Sequence, residues 1–289
     1  MKVLITGCCG YVGSALVPWL LADRHYVVGY DALWFGDGYL PNDNGHFKLI
    51  KGDILDENRL AAAAYGCDAF IHLAGLTSDK ACQLNPELAQ SVNVSSLNGV
   101  IRATDNIPRR IYLSSAAIYG GETLYAKAKM ECERLLQGSK WVILRPGTVC
   151  GYAPRMRFDL PVNQMTRDAM LKGTITVNGG KQVRTNLNIR DLCDALRRLI
   201  KAGEFNSYNL NGENLTVLDI AKKVSVQTNA AIRVLDYTDG RSYEMDSHLD
   251  TQFTVDQAIQ EMVSKFKDGY WKDALTNPTY MNVYDSRNG

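Results

Sequence analysis

The stretch Thr6-Gly7-Cys8-Cys9-Gly10-Tyr11-Val12-Gly13 sets three glycines at a three-residue spacing between a short apolar run, 3–6, and a longer segment, 11–22, with apolar residues three and four apart. The run before the glycines reads as a buried β-strand and the segment after them as an amphipathic helix. A chain passing from strand to helix in so few residues needs glycine where the turn is tightest and where helix and strand pack closest. Pro18 dissents, since a proline past the first helical turn removes a backbone hydrogen bond and should bend the helix.

The same alternation continues along the chain. Strands are predicted over 26–30, 47–50, 69–73, 110–113 and 141–144, and helices over 56–64, 86–103 and 124–137. This order predicts an α/β fold, a doubly wound parallel sheet of the Rossmann type, over 1–147, completed by elements within 172–202. Beyond Gly147 the pattern loosens, with helices over 191–202, 216–226 and 254–267, and predicts a smaller mixed α/β substrate domain over 148–289. The stretch 277–289 is polar, rich in Tyr and aperiodic, and is expected to be an irregular or frayed end.

A chain of 289 residues with 46% hydrophobic side chains can bury a sizeable core. Its 32 basic and 31 acidic residues are well mixed and leave a net charge of +1, so no field would recruit nucleic acid or an anionic membrane. No apolar stretch is long enough to span a bilayer and no signal-peptide pattern is visible, so a cytoplasmic location is expected. The 7 cysteines are scattered without a C-x-x-C pair or a companion histidine spacing, and read as reduced buried thiols with no metal site.

Placed between strand and helix, the glycine turn suits the pyrophosphate of a dinucleotide, held by unpaired N–H groups and the positive end of the helix dipole. The second strand ends in Asp31, which would accept hydrogen bonds from both adenosine ribose hydroxyls. That carboxylate repels a 2′-phosphate, and no Lys or Arg lies between Asp31 and Phe47 to compensate, so NAD is favoured over NADP. Asp53 and Ile54, just after the third strand, are candidates for the adenine pocket.

Tyr125 and Lys129 lie four apart on a predicted helix and project from one face. A phenol beside an ammonium is expected to ionise more easily and to take the proton of a substrate alcohol as hydride leaves its carbon. The preceding strand ends in Ser114-Ser115, where ligands of open α/β sheets bind, and Ser115 could orient the reacting oxygen toward Tyr125.

With these motifs the sequence resembles the extended short-chain dehydrogenase/reductase family, in its nucleotide-sugar epimerase and dehydratase branch. The matching segments are TGCCGYVG at 6–13, Asp31, GDI at 52–54, HLAG at 72–75, NV at 93–94, SSAAIYG at 114–120, YAKAK at 125–129 and LRPGTVCG at 144–151. The resemblance implies an NAD site formed by Gly7, Gly10, Tyr11, Val12, Gly13, Asp31, Asp53, Ile54, Ser114, Tyr125 and Lys129, lined or supported by Leu73, Ala74, Gly75, Asn93 and Pro146. It makes His72 a framework residue. Ser115, Tyr125 and Lys129 would be catalytic. Thr77, Ser115, Ala116, Tyr125, Thr148, Asn163 and Arg184 would face a nucleotide-diphosphate sugar.

Two departures bear on the chemistry. Dehydratases of this branch carry Asp-Glu after the serine, decarboxylases a Glu, and C3/C5 epimerases a Cys, whereas this chain has Ala116 and Ala117. Ser115 and Tyr125 are also only ten residues apart, which implies a shortened substrate loop and a more open pocket. The resemblance therefore implies an NAD-dependent epimerase acting at C4 through a transient keto sugar. A nucleotide-sugar dehydrogenase or 4-ketoreductase and a non-catalytic NAD-binding sensor or scaffold stay as alternatives. A homodimer packed through the helices over 86–103 and 124–137 is expected.

Overall fold

The computed structural model describes residues 1–42, 45–237 and 242–282. Its strands are β1 (Lys2–Thr6), β2 (Tyr26–Asp31), β3 (Phe47–Lys51), β4 (Ala69–His72), β5 (Arg109–Leu113), β6 (Val142–Pro146), β7 (Thr148–Cys150), β8 (Thr174–Asn178), β9 (Val183–Asn188), β10 (Ser207–Leu210), β11 (Glu213–Thr216) and β12 (Ala231–Leu235). A 7-stranded sheet has the order β10-β6-β5-β4-β1-β2-β3, with every pairing parallel. This is the doubly wound sheet that the alternation predicts. Its last strand, β10, lies past the 172–202 span expected to complete it.

Strand alternation explains why the sheet is covered on both faces. Val3, Ile5, Ala69, Ile71 and Leu144 feed one hydrophobic cluster, while their neighbours Leu4, Phe70 and Ile143 feed a second on the opposite face. Each fully buried Leu, Ile or Phe contributes about 1.5–3 kcal/mol, so the central strands hold both layers at once.

The helices are α1 (Tyr11–Ala22), α2 (Glu57–Ala64), α3 (Asp79–Leu84), α4 (Pro86–Gln90), α5 (Ser96–Ala103), α6 (Leu124–Leu136), α7 (Pro161–Lys172), α8 (Ile189–Ala202), α9 (Val217–Thr228) and α10 (Val255–Lys267). Pro18 sits inside α1 without ending it, on the exposed side. The single helix expected over 86–103 is divided: a π-helical turn, Ser91–Ser95, joins α4 to α5 and carries buried Asn93. Such turns are frequent at functional sites. Here Asn93 clips the loop after β4, accepting from Leu76 N at 2.8 Å and donating to Leu76 O at 2.9 Å.

The C-terminal part adds a 3-stranded sheet, β11-β9-β7, and the parallel pair β12-β8, packed with α7, α9 and α10. Its apolar residues, among them Ile220, Met262 and Trp271, belong to the same cluster as Val3 and Ile5. No helix among the described residues is long and apolar enough to cross a membrane. The end expected to fray is in part docked. A 3-10 turn, Pro278–Tyr280, is fixed by Phe158 N donating to Tyr280 O at 2.8 Å and by their rings at 5.6 Å. Residues 283–289 lie outside the described residues.

Candidate active site

A cleft lined by Gly7, Gly10, Asp31, Gly75 and Thr77 among others opens at the C-terminal ends of β1, β2 and β4. Gly7 has φ +72°, and a Cβ there would lie 2.7 Å from Ala74 N. A Cβ on Gly13 would strike the backbone of Gly7 and Cys8, so the protein's own packing demands both glycines. Gly10 is different. A Cβ there would meet only Gly7 O, at 3.2 Å, and its remaining side faces the cleft. Glycine at 10 leaves room for a ligand against the N-terminus of α1, which fits a pyrophosphate there.

Asp31 lines the cleft and accepts one N–H on each carboxylate oxygen, Leu33 N at 2.8 Å and Cys9 N at 2.9 Å. Each oxygen keeps a lone pair for a ribose hydroxyl. Burial raises its pKa, opposed by those N–H groups and by the charge of Arg155. Tyr11, Val12, Asp53, Ile54, Leu73, Ala74 and Gly75 line the cleft as expected, and so does Thr77, expected on the substrate side. Cys8, Cys9 and Asp31 offer ligand atoms within 4.8 Å of one another, the only such cluster among the described residues. Both thiols are buried and the carboxylate is already hydrogen-bonded, so the site reads as a cofactor site.

Tyr125 enters from the first turn of α6, capped by Thr123. Ser115 caps the 3-10 turn Ala116–Tyr119, accepting from Ala117 N at 3.1 Å, and its hydroxyl lies near enough to Tyr125 to draw the phenol's pKa down. Lys129 is buried, and its Nζ donates to Leu113 O at 2.7 Å and stands 5.8 Å from the Tyr125 ring. The expected effect of Lys129 on the phenol is overridden. Enclosure pushes Tyr125 up to about 12, and the opposing pull comes from Ser115 and the Arg157 charge. Burial likewise lowers Lys129 to about 8.

Four expected NAD contacts stand behind the cleft wall. Asn93 is engaged with Leu76, Lys129 with Leu113 O, and Pro146 is buried in β6 beside Leu210. The Ser114 hydroxyl donates to Glu133 at 2.5 Å, and Glu133 forms a bidentate pair with Arg145 at 2.6 and 2.9 Å. That network ties the end of β5 to α6 and β6, fixing the helix that carries Tyr125 and Lys129. Glu133 follows Lys129 by four residues, and that same-face spacing is the one sign of its role that the sequence carries.

His72 is a framework residue, as expected, with Nδ1 2.7 Å from Thr6 Oγ1. Burial first, and Lys129 second, push its pKa to about 3. Between that value and the 6.5 of a free histidine the unfolded chain binds a proton that the folded protein refuses. Stability is thus lost as pH falls through this window, by about 3 kcal/mol at pH 4.5 from this group. Chemical melts of wild type and His72→Gln should converge on acidification, the variant showing the shallower slope; parallel slopes would reject the assignment.

A second cavity, lined by Ala117, Tyr125, Thr148, Met165, Arg184 and Tyr243 among others, adjoins the first. Thr148 and Arg184 are there as expected. Asn163 is not: it is fully buried, accepting from Gly151 N at 3.0 Å and donating to Tyr11 Oη and Arg157 O. Ala116 is also buried, and Ala117 takes its place on the wall. The short loop does not simply open the pocket, because Tyr243 packs so closely on Gly120 that a Cβ there would overlap its ring. Nothing in the aperiodic sequence around Tyr243 announces this. Arg157 and Asp159, paired at 2.8 and 3.0 Å, are site residues that no motif in the sequence announces; Arg157 lines the first cavity and Asp159 the second.

The family model described as the NAD dependent epimerase/dehydratase family matches residues 3–211. The chain belongs to that family. Within the epimerase/dehydratase family it is similar to Protein CapI of Staphylococcus aureus, 23% identical over 93% of this chain and 98% of CapI. It is 26% identical to UDP-glucuronic acid decarboxylase 4 of Arabidopsis thaliana over 80% of this chain, which spans only 59% of that protein's length. The solved structure of MoeE5 in complex with UDP-glucuronic acid and NAD superposes with a TM-score of 0.82 at 21% identity, covering 93% of this chain and 100% of MoeE5. NAD dependence is a family property, and the cleft at Gly7, Gly10 and Asp31 fits it.

Proposed function

We propose that this family member is an NAD-dependent epimerase of a nucleotide-diphosphate sugar, acting at C4. The observation that carries the reading is the nearness of Tyr125 to Ser115, beside a cavity whose wall offers Ala117 where an acid or thiol would be needed for other reactions. Bound NAD supplies the hydride acceptor and donor. Tyr125 Oη takes the proton of the substrate alcohol and returns it to the keto oxygen, while Ser115 holds that oxygen toward the phenol. Lys129 positions the end of β5 through Leu113 O, with its Nζ 5.8 Å from the Tyr125 ring. Alanine at 117 carries no proton, so neither water elimination nor decarboxylation has its acid–base group. Arg184 and Thr148 are the candidates for the nucleotide-diphosphate end.

A homodimer through the helical stretches 86–103 and 124–137 is part of this reading, supported by exposed Leu124 and Met130 on α6; light scattering that finds a monomer at micromolar concentration would remove it. The activity test incubates purified protein and NAD with a panel of nucleotide hexoses and pentoses and follows anomeric and H4 signals by NMR. Interconversion of one C4 pair without net NADH is expected. Stoichiometric NADH would establish the dehydrogenase alternative, and no turnover across the panel would reject the enzyme reading.

A further inference from the structure

The cleft wall facing the glycine turn includes three residues far apart in the chain: Thr77, Arg157 and Asn282. Asn282 joins them. Its Nδ2 donates to Thr77 O at 3.2 Å and to the Thr77 hydroxyl, which also accepts from Arg157 Nη1 at 3.1 Å. Its Oδ1 accepts from Arg155 Nη1 at 2.8 Å, and Met281 O accepts from Arg155 Nη2 at 3.4 Å.

Arg155 is 0% exposed, and among the described residues no carboxylate lies within ion-pair distance of it. The Phe35 ring stands 3.9 Å from its guanidinium carbon, and among the described residues the Arg155 Nε has no hydrogen-bond partner. A buried guanidinium is costly unless its N–H groups are matched. The acceptors that match it come from residues 281 and 282. The same guanidinium acts on Asp31, and Phe35 lines the end of the cleft near that carboxylate. One short segment therefore connects the Asp31 end of the cleft, through Arg155 and Phe35, to the far end at Thr77 and Arg157.

We propose that residues 278–282 are a strap that completes the cofactor cleft, with Asn282 its fastening residue, and that NAD leaves only when this strap lifts. The inference rests on the NAD reading of the cleft and is independent of which sugar is turned over. Its consequence is a cofactor retained from one turnover to the next, as a redox-neutral cycle requires and a net dehydrogenase does not.

The test measures NAD release from full-length holoprotein by stopped-flow fluorescence with excess competing nucleotide, alongside NAD content after purification and thermal melting of the apoprotein. Asn282→Ala removes hydrogen bonds to both Arg155 and Thr77 and should speed release by about tenfold. A chain ending at Asn277 should speed it further and purify with little NAD. Asn282→Asp keeps an acceptor for Arg155 and can accept from the Thr77 hydroxyl, so it should restore most of the retention. Release from Asn282→Ala within twofold of wild type overturns the proposal, even if the shortened chain fails to fold. So does an accelerated release that Asn282→Asp does not slow, since that marks general loosening. Failure of the sugar panel with release behaving as stated would instead count against the epimerase reading alone.

Discussion

Tyr125→Phe is expected to lower kcat on any sugar substrate by about 10³-fold, within the range attributed to a positioned general acid–base group. The substitution removes one oxygen and nothing else. The ring remains at the first turn of α6, still 5.8 Å from Lys129 Nζ, and the Thr123 cap of that helix is untouched. NAD affinity and melting temperature should therefore stay close to wild type, because the cleft wall is built from the glycine turn, Asp31 and the end of β4. The residual rate reports what Ser115 and orientation achieve alone. Full activity in the phenylalanine variant, measured on the sugar that wild type epimerises, would remove Tyr125 from the mechanism.

Gly13→Ala should be as damaging to the cofactor site as Tyr125→Phe is to chemistry, by an unrelated route. The new methyl would lie 2.5 Å from Cys8 Cα and 2.6 Å from Cys8 O, and would also strike Gly7 O. All three are backbone atoms of the same turn, so no side-chain rotation relieves the overlap and α1 must move off β1. Overpacking of this kind costs about 3 kcal/mol. Moving the helix also withdraws the N–H groups that face the cleft, so NAD affinity should fall by about a hundredfold or more. Gly38→Ala is the control, since a Cβ there meets nothing within 4 Å; urea melts and NAD titrations of the two variants should diverge sharply. Near-wild-type NAD binding by Gly13→Ala would refute this account of the turn.

The parts of the fold that could be read in the sequence are those where one residue type answers to local geometry. The glycines of the first turn, the continuous apolar run Val3, Leu4 and Ile5 and the helix carrying Tyr125 all meet their constraints within a few residues. What could not be read depends on distant partners. Asn163 has the polarity of a ligand contact, yet the fold engages it with Tyr11 and Gly151. Ser114 and Ser115 are neighbours in one motif, but the strand's alternation turns the first toward Glu133 and leaves the second beside Tyr125. Asn282 and Tyr243 lie in polar aperiodic stretches whose place is set by contacts to residues more than a hundred positions away. The π-helical turn at Asn93 leaves no periodic trace because it adds a single residue to a helix that otherwise continues.

Arg157 faces the first cavity and Asp159 the second, and the two side chains are locked in one bidentate pair. An ion pair with one partner on each cavity wall is part of the partition through which the two occupants can influence each other. Whatever factor a nucleotide sugar imposes on NAD affinity by shifting Asp159, NAD must impose on sugar affinity by shifting Arg157, because the coupling free energy belongs to both sites at once. Loading order then becomes a readable quantity: titrating either molecule in the presence and absence of the other measures the stiffness of that partition from both sides.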